Sequence, residues 1–333
     1  MKIRVNLDIR SYDCIIERGI LSNLKTYLDL NKKVLIVIDD NVDIKYLGDI
    51  NDKNIFITKF HATEHNKSLE SYQEIMKILL ENNFSRKDTL VSVGGGITGD
   101  LCGFVSATYK RGCKFINCPT TTLSCIDSSV GGKVAVNFGD IKNSIGAFYQ
   151  PSLVLIDPNV LETLPIRQYN NGLIEALKMG LIGDESLYNI FKKELSYKDH
   201  IETIIIKSLD LKRKIVEEDE TETGNRKLLN FGHTIGHAIE SLNLDSIYHG
   251  EAVGLGMLYM IEDDALRCEV KEILMKLNAY HSFENTTEDL IKKIMNDKKA
   301  DNSSIDVVKV DKVASSRIKK VSFDELTSII NRG

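Results

Sequence analysis

The chain has 333 residues, long enough for two domains that each bury a core. With 43 Lys+Arg against 48 Asp+Glu the formal charge is -5, and no basic tail or stripe is present to neutralise a nucleic-acid backbone, so nucleic-acid binding is not expected. No apolar run approaches a membrane span, residues 1–7 alternate instead of forming a secretory apolar segment, and the six cysteines make no C-x-x-C pair; a cytoplasmic protein with reduced thiols is expected.

Along the chain, residues 34–38 and 55–60 are short β-rich runs, and the spacing over 69–81 predicts a helix. Residues 89–93 predict a strand that stops at Gly94-Gly95-Gly96, a helix is expected over 97–109, and a further strand at 115–117 ends at Pro119. Alternation of this kind predicts a mostly parallel sheet with helices on its faces. After Pro158 the texture changes: amphipathic stretches at 169–181, 201–216, 228–242, 251–265 and 288–295 predict helices, with weak strand character at 305–318. The expected architecture is an α/β Rossmann-like nucleotide-binding domain over 1–157, followed by an all-helical domain over 158–333 that binds metal and substrate.

Gly94-Gly95-Gly96-Ile97-Thr98-Gly99 satisfies G-x-G-x-x-G at a strand-to-helix junction, where bare backbone amides and a helix N-terminus suit a pyrophosphate. The acidic ribose ligand usual about 20 residues later is absent. Asp40 and Asn41 close the strand 34–38 at the edge where open α/β sheets bind ligands, and Glu64 and Lys67 follow the next strand at a similar level. From Pro119 to Asn143 runs a long polar segment containing Thr120, Thr121, Asp127, Ser128, Gly131, Gly132, Lys133 and Lys142, read here as a functional loop for a phosphate or carboxylate.

Of seven histidines, His233, His237 and His249 fall close together, and His233 and His237 are spaced i, i+4 on one helical face. Imidazoles so grouped point to a zinc-like ion. Spacing alone selects His233, His237 and Glu240 as ligands. Glu175, in an apolar helix with Lys178 one turn away, is a second carboxylate candidate, because a buried carboxylate is costly unless paired or metal-bound. Arg111, Lys133, Lys142, Lys178, Lys212 and Arg226, together with the glycine turns and histidines, point to an anionic substrate.

These residues resemble the signatures of the 3-dehydroquinate synthase family: Gly94 to Leu101 with Arg111-Gly112; Pro119-Thr120-Thr121 through Asp127-Ser128-Ser129-Val130-Gly131-Gly132-Lys133; Lys142-Asn143 with Gly146 to Pro151; Leu229 to Thr234 with Gly236 to Glu240; and His249 to Val253. The resemblance implies NAD along Asp40, Asn41, Glu64, Lys67, Gly95, Gly96, Ile97, Thr120, Thr121 and Asp127, with Asp100, Ser128, Lys133 and Lys142 in the same motifs. It implies zinc or cobalt on Glu175, His233 and His249, and a substrate held by Lys133, Asn143, Lys178, Lys212, Arg226, Asn230 and His237. It further implies a homodimer in which Arg111 reaches the phosphate across the interface, and a contribution from Lys298 or Lys299 in Asp297-Lys298-Lys299.

The implied reaction is phosphate-eliminating ring closure of a seven-carbon sugar-acid phosphate in the shikimate pathway, with NAD oxidising the substrate transiently. Two other readings share part of this equipment: a sugar-phosphate cyclase acting on a substrate without a carboxylate, and a metal-dependent NAD polyol dehydrogenase, which would accumulate NADH.

Overall fold

The computed structural model describes residues 1–139, 141–193, 196–243, 246–297 and 304–332. The chain divides into two compact units, Met1–Leu164 and Pro165–Gly333.

The first unit contains β1 (Lys2–Val5), β2 (Tyr12–Ile16), β3 (Val34–Asp39), β4 (Ile55–Phe60), α1 (Leu69–Glu81), β5 (Thr89–Gly94), α2 (Gly96–Thr108), β6 (Lys114–Pro119), β7 (Lys133–Phe138), β8 (Ile141–Phe148) and β9 (Leu153–Ile156). Seven strands form one sheet in the order β1-β2-β9-β6-β5-β3-β4, parallel except where β1 meets β2. Strand β3, Val-Leu-Ile-Val-Ile-Asp, is buried along nearly its whole length, as a parallel strand covered on both faces requires. Its core partners include Leu79 of α1, Phe84 just after that helix, and Leu101 and Val105 of α2.

The polar segment 119–143, expected as a loop, is only partly one. After a short π-helical turn at Ser124–Ser128 it enters the antiparallel hairpin β7–β8, held by pairs such as Val134 with Ala147 and Val136 with Ile145. The reason is packing: Val134 and Val136 join the α2 core cluster and Ala135 between them is buried as well, while Lys133 at the start of β7 stays exposed.

The second unit contains α3 (Ile166–Gly183), α4 (Glu185–Lys192), α5 (Ile201–Glu218), α6 (His233–Leu242), α7 (His249–Met260), α8 (Asp264–Lys276), α9 (Thr287–Asp297), β10 (Ser304–Lys312), β11 (Ser315–Ser322) and α10 (Phe323–Ile330). It is mainly helical, and the weak alternation at 305–318 is realised as the antiparallel hairpin β10–β11, which amends the all-helical expectation. Two expected helices are broken. The stretch 228–242 splits into a 3-10 helix, Asn225–Asn230, and α6, because Gly232 takes φ 78°, a conformation only glycine adopts cheaply. The stretch 251–265 breaks after Met260 and restarts at Asp264, where Asp263 caps α8 by accepting from the Leu266 N–H at 2.7 Å.

Cys14, Cys102, Cys113, Cys118 and Cys125 are buried free thiols that pack as small hydrophobes, and burial pushes the Cys113 thiol up to about 11; Cys268 is exposed. Among the described residues no helix is long and apolar enough to cross a membrane.

Candidate active site

Helix α3 is buried almost all round from Tyr169 to Ile182, and it carries Glu175 and Lys178 into that interior, each 1% exposed. Two charges so placed need partners. Lys178 Nζ lies 2.5 Å from Glu175 Oε2, one turn away, an ion pair whose geometry is not that of a well-formed hydrogen bond, and among the described residues neither carboxylate oxygen accepts one.

The remaining coordination space of Glu175 faces histidines from two other helices. His233 opens α6 and its Nε2 is 3.8 Å from Glu175 Oε1; His249 opens α7 and its Nε2 is 3.5 Å from the same oxygen. His237, one turn further along α6, completes the group: ligand-capable atoms of His233, His237 and His249 all lie within 4.8 Å of one another.

Close packing of α6 on α7 makes this convergence geometric. A Cβ on Gly256 would stand 2.1 Å from the Gly232 carbonyl oxygen, so the backbones touch where no side chain fits. The start of α7 is tied to α3 as well: Asn171 Oδ1 accepts from the N–H groups of Gly250 at 2.7 Å and Glu251 at 3.3 Å. Arg167 of α3 grips buried Glu251 bidentately, at 2.7 and 2.8 Å.

Each inward-facing imidazole is oriented by its other nitrogen. His233 Nδ1 is 3.1 Å from the Phe231 carbonyl, and His249 Nδ1 is 2.9 Å from Glu240 Oε2. Nε2 is thereby turned toward Glu175 in both rings, the arrangement that metal-binding histidines adopt. Glu240, which spacing alone offered as a ligand, here meets the outer nitrogen of His249 instead.

The electrostatics agree with a cation site. Burial opposes ionisation of Glu175, but Lys178 and the two histidines outweigh it and hold the carboxyl well below its ordinary value. Burial, with Lys178 adding, drives His233 well below its ordinary value, so it is a neutral donor. His249 is also penalised by burial, yet its bonds to Glu175 and Glu240 lift it to about 10. A buried carboxylate paired with Lys178 through Oε2 and facing two oriented imidazoles through Oε1 fits a divalent metal, which would take the place of the shared proton.

His233 and His237 line a cavity of about 810 Å³ in the second unit, together with Glu222, Lys227, Asn230 and Lys320. Asn230 Nδ2 donates to Glu222 Oε1 at 2.8 Å. Arg226, buried at 2% exposure, donates through Nη1 to the Glu220 carbonyl, and Lys212 is buried on α5. Lys298 and Lys299 lie outside the described residues.

In the first unit the carboxyl ends of β6, β5, β3 and β4 lie side by side, which lines up the candidates that follow them: Thr120 and Thr121, then Gly95, Gly96 and Ile97, then Asp40 and Asn41, then Glu64 and Lys67. His61 Nδ1 pairs with Asp40 Oδ2 at 2.8 Å. Lys67 is not a solvated loop residue: it is 4% exposed, and its Nζ meets Asp100 Oδ2 and Asn143 Oδ1, both at 2.5 Å. Gly96, Asp100, Ser128 and Lys133 line one small cleft, with Asp127 in the adjoining turn. Lys142 is exposed on β8, and Arg111 is exposed after α2 with φ 65°.

Comparison with known proteins places these features. Residues 57–171 match the family model described as 3-dehydroquinate synthase N-terminal, and residues 172–300 match 3-dehydroquinate synthase C-terminal. The chain is 35% identical to the 3-dehydroquinate synthase of Lactococcus lactis subsp. cremoris over 100% of both chains. It is 38% identical to that of Enterococcus faecalis over 100% of this chain and 99% of the relative. This chain belongs to the 3-dehydroquinate synthase family. Its fold is also that of 2-deoxy-scyllo-inosose synthase, solved with carbaglucose-6-phosphate, NAD+ and Co2+, at a TM-score of 0.89, 23% identity and full coverage of both chains.

Sequence reading passed over Glu222, Asn171, Arg167 and the supporting role of Glu240. Glu240 carried a local signal, its position three residues after His237; Glu222 reaches Asn230 from a non-helical turn, and Asn171 and Arg167 act across tens of residues.

Proposed function

We propose that this chain converts 3-deoxy-D-arabino-heptulosonate 7-phosphate into 3-dehydroquinate and phosphate, with NAD held by the strand-end residues of the first unit and a divalent metal, zinc or cobalt, held by Glu175, His233 and His249 in the second. The observation that carries the reading is the convergence of one buried carboxylate and two oriented imidazoles, in a chain of this family. When bound, the two groups supply reversible hydride transfer and Lewis acidity, which allow transient oxidation of a ring alcohol, loss of phosphate by β-elimination, return of the hydride, ring opening and aldol closure.

The chain's own residues bind and orient. Glu175, His233 and His249 use the carboxylate and both Nε2 atoms as ligands, and His237, on the cavity side of the cluster, is assigned to the substrate. Lys178, Lys212 and Arg226 are buried cations suited to a substrate carrying a carboxylate and a phosphate. Asn230, with Nδ2 committed to Glu222, presents its oxygen as a fixed acceptor for a substrate hydroxyl. Lys133, Asn143, Arg111 and one of Lys298 and Lys299 complete the proposed substrate contacts. Asp40, Asn41, Glu64, Lys67, Gly95, Gly96, Ile97, Asp100, Thr120, Thr121, Asp127, Ser128 and Lys142 form the proposed cofactor surface, in which Lys133 is shared. A homodimer in the cytoplasm is the proposed working state.

The test uses chelator-stripped protein reloaded with Zn2+ or Co2+, NAD and the heptulosonate phosphate. Phosphate release with no net NADH is expected. Preferential turnover of a sugar phosphate lacking the carboxylate would displace the substrate assignment, and steady NADH growth without phosphate would replace the reaction by a polyol dehydrogenation.

A further inference from the structure

On the far side of the β10–β11 hairpin, a second cavity of about 710 Å³ shares no lining residue with the one at the histidines. Its lining includes Arg267, Lys309, Lys319 and Arg332, with Leu258, Tyr259, Ile261 and Ile329 as apolar wall. Lys309 is the unusual member. A lysine on a strand ordinarily reaches water, yet this one is 6% exposed between Val308 and Val310, and Val310 is itself locked against the end of α7 through its bridge to Ile261.

The acidic groups of this cavity already have cationic partners, two of which, Lys319 and Arg267, line the cavity themselves. Glu262 Oε2 pairs with Arg317 at 2.8 Å, Glu325 with Lys319 at 2.7 Å, and Asp264 with Arg267 at 2.9 Å. Lys309 Nζ comes no closer than 3.8 Å to Glu262 Oε1 and makes no hydrogen bond among the described residues. Among the described residues Arg332 donates Nε to the Ser328 carbonyl at 3.2 Å, and the other guanidinium N–H groups have no hydrogen bond there. Burial depresses the Lys309 ammonium below its ordinary value, with Lys319 and Arg332 pushing the same way against Glu262 and Glu325. A mostly buried ammonium whose ion pair to Glu262 is a long 3.8 Å, in a cavity that also holds the exposed Arg332 guanidinium, is an arrangement that an anion would stabilise.

We infer that this cavity is a second anion site, built on Lys309 and Arg332 with Lys319 at its edge, and that its ligand carries a phosphate group. The apolar wall gives room for the organic part of a phosphate monoester, and the cavity has the size of a small-metabolite site. The inference stands independently of the cyclase reaction, since neither residue belongs to the proposed machinery.

The experiment reads Lys309 directly. Full-length protein is acetylated with limiting acetic anhydride at constant ionic strength, and modification of the Lys309 peptide is followed by mass spectrometry with chloride, inorganic phosphate or glycerol 3-phosphate present. Modification should slow by about tenfold at a ligand concentration ten times its Kd, following 1 + [L]/Kd. In Arg332→Gln the same protection should require a much higher phosphate concentration, and Lys309→Met should turn over substrate at the wild-type rate. Protection at lower concentrations of glycerol 3-phosphate than of inorganic phosphate identifies a monoester ligand; equal protection identifies free phosphate. Protection matched by chloride, no protection, or a Lys309 that never reacts in the folded protein would each overturn the proposal.

Discussion

Nδ1 of His249 stands 2.9 Å from Oε2 of Glu240, and that contact leaves Nε2 as the nitrogen facing Glu175, 3.5 Å away. A carboxylate behind a ligating imidazole fixes the ring and raises its basicity. Glu240→Gln should therefore weaken Zn2+ affinity by about 10–100-fold, as is usual for such supporting groups, with little change in unfolding midpoint. Competition against a chromogenic chelator measures this; unchanged affinity would show that Glu240 does not orient the ring.

The Glu175–Lys178 pair predicts an asymmetric response to mutation. Both groups are 1% exposed, so in metal-free protein Glu175→Leu strands a buried ammonium and should cost about 3–5 kcal/mol. Adding Lys178→Met should recover most of that loss, because two apolar side chains of similar volume need no counter-charge. Urea unfolding of the two single variants and the double variant gives the coupling energy, and additive effects would contradict the pairing.

Asp88 gives the first unit an acid-sensitive anchor. Its carboxylate accepts from the Lys33 N–H at 2.9 Å and the Ser85 N–H at 2.5 Å; burial opposes the charge, but these bonds hold the carboxyl below its ordinary 3.8. A depressed carboxyl contributes stability that is complete above its unfolded value and is lost as pH falls through the lower folded value. Asp88→Asn should thus destabilise by about 1–3 kcal/mol at neutral pH, with the gap to wild type closing below the ordinary carboxyl value. Thermal unfolding across pH checks the sign.

Gly256→Ala tests the contact between α6 and α7. On an open helix alanine would be favoured over glycine by about 1 kcal/mol. Here the new methyl would meet the Gly232 carbonyl oxygen at 2.1 Å, and backbone cannot swing aside as a side chain can. A net cost of about 1–3 kcal/mol is expected, with weakened metal binding as His233 and His249 are forced apart. Denaturant unfolding and metal titration on the same sample separate the two effects.

Much of the α/β half was legible because its signals are local. An unbroken apolar run marks β3, and triple glycine after β5 marks the turn into α2. The hairpin β7–β8 was hidden: polar residues dominate 119–143, and only packing of Val134 and Val136 on α2 shows which alternation is structural. In the helical half, the break at Gly232 was invisible to periodicity, since apolar spacing continues through it.

Sequence by itself determined the family and the inventory of the site: the glycine turn, the three clustered histidines, and an acidic and a basic residue one turn apart at Glu175 and Lys178. Choice among the donors needed the tertiary structure. Spacing along one helix favours Glu240 with His233 and His237, because i, i+3 and i, i+4 neighbours share a face. Packing of α6 on α7 and of α7 on α3 instead brings Glu175 to both Nε2 atoms and turns Glu240 toward the outer nitrogen of His249. Proximity between residues distant in the chain is fixed by which helices touch, and that depends on glycine contacts and buried polar ties such as Asn171 to Gly250, which no local pattern records.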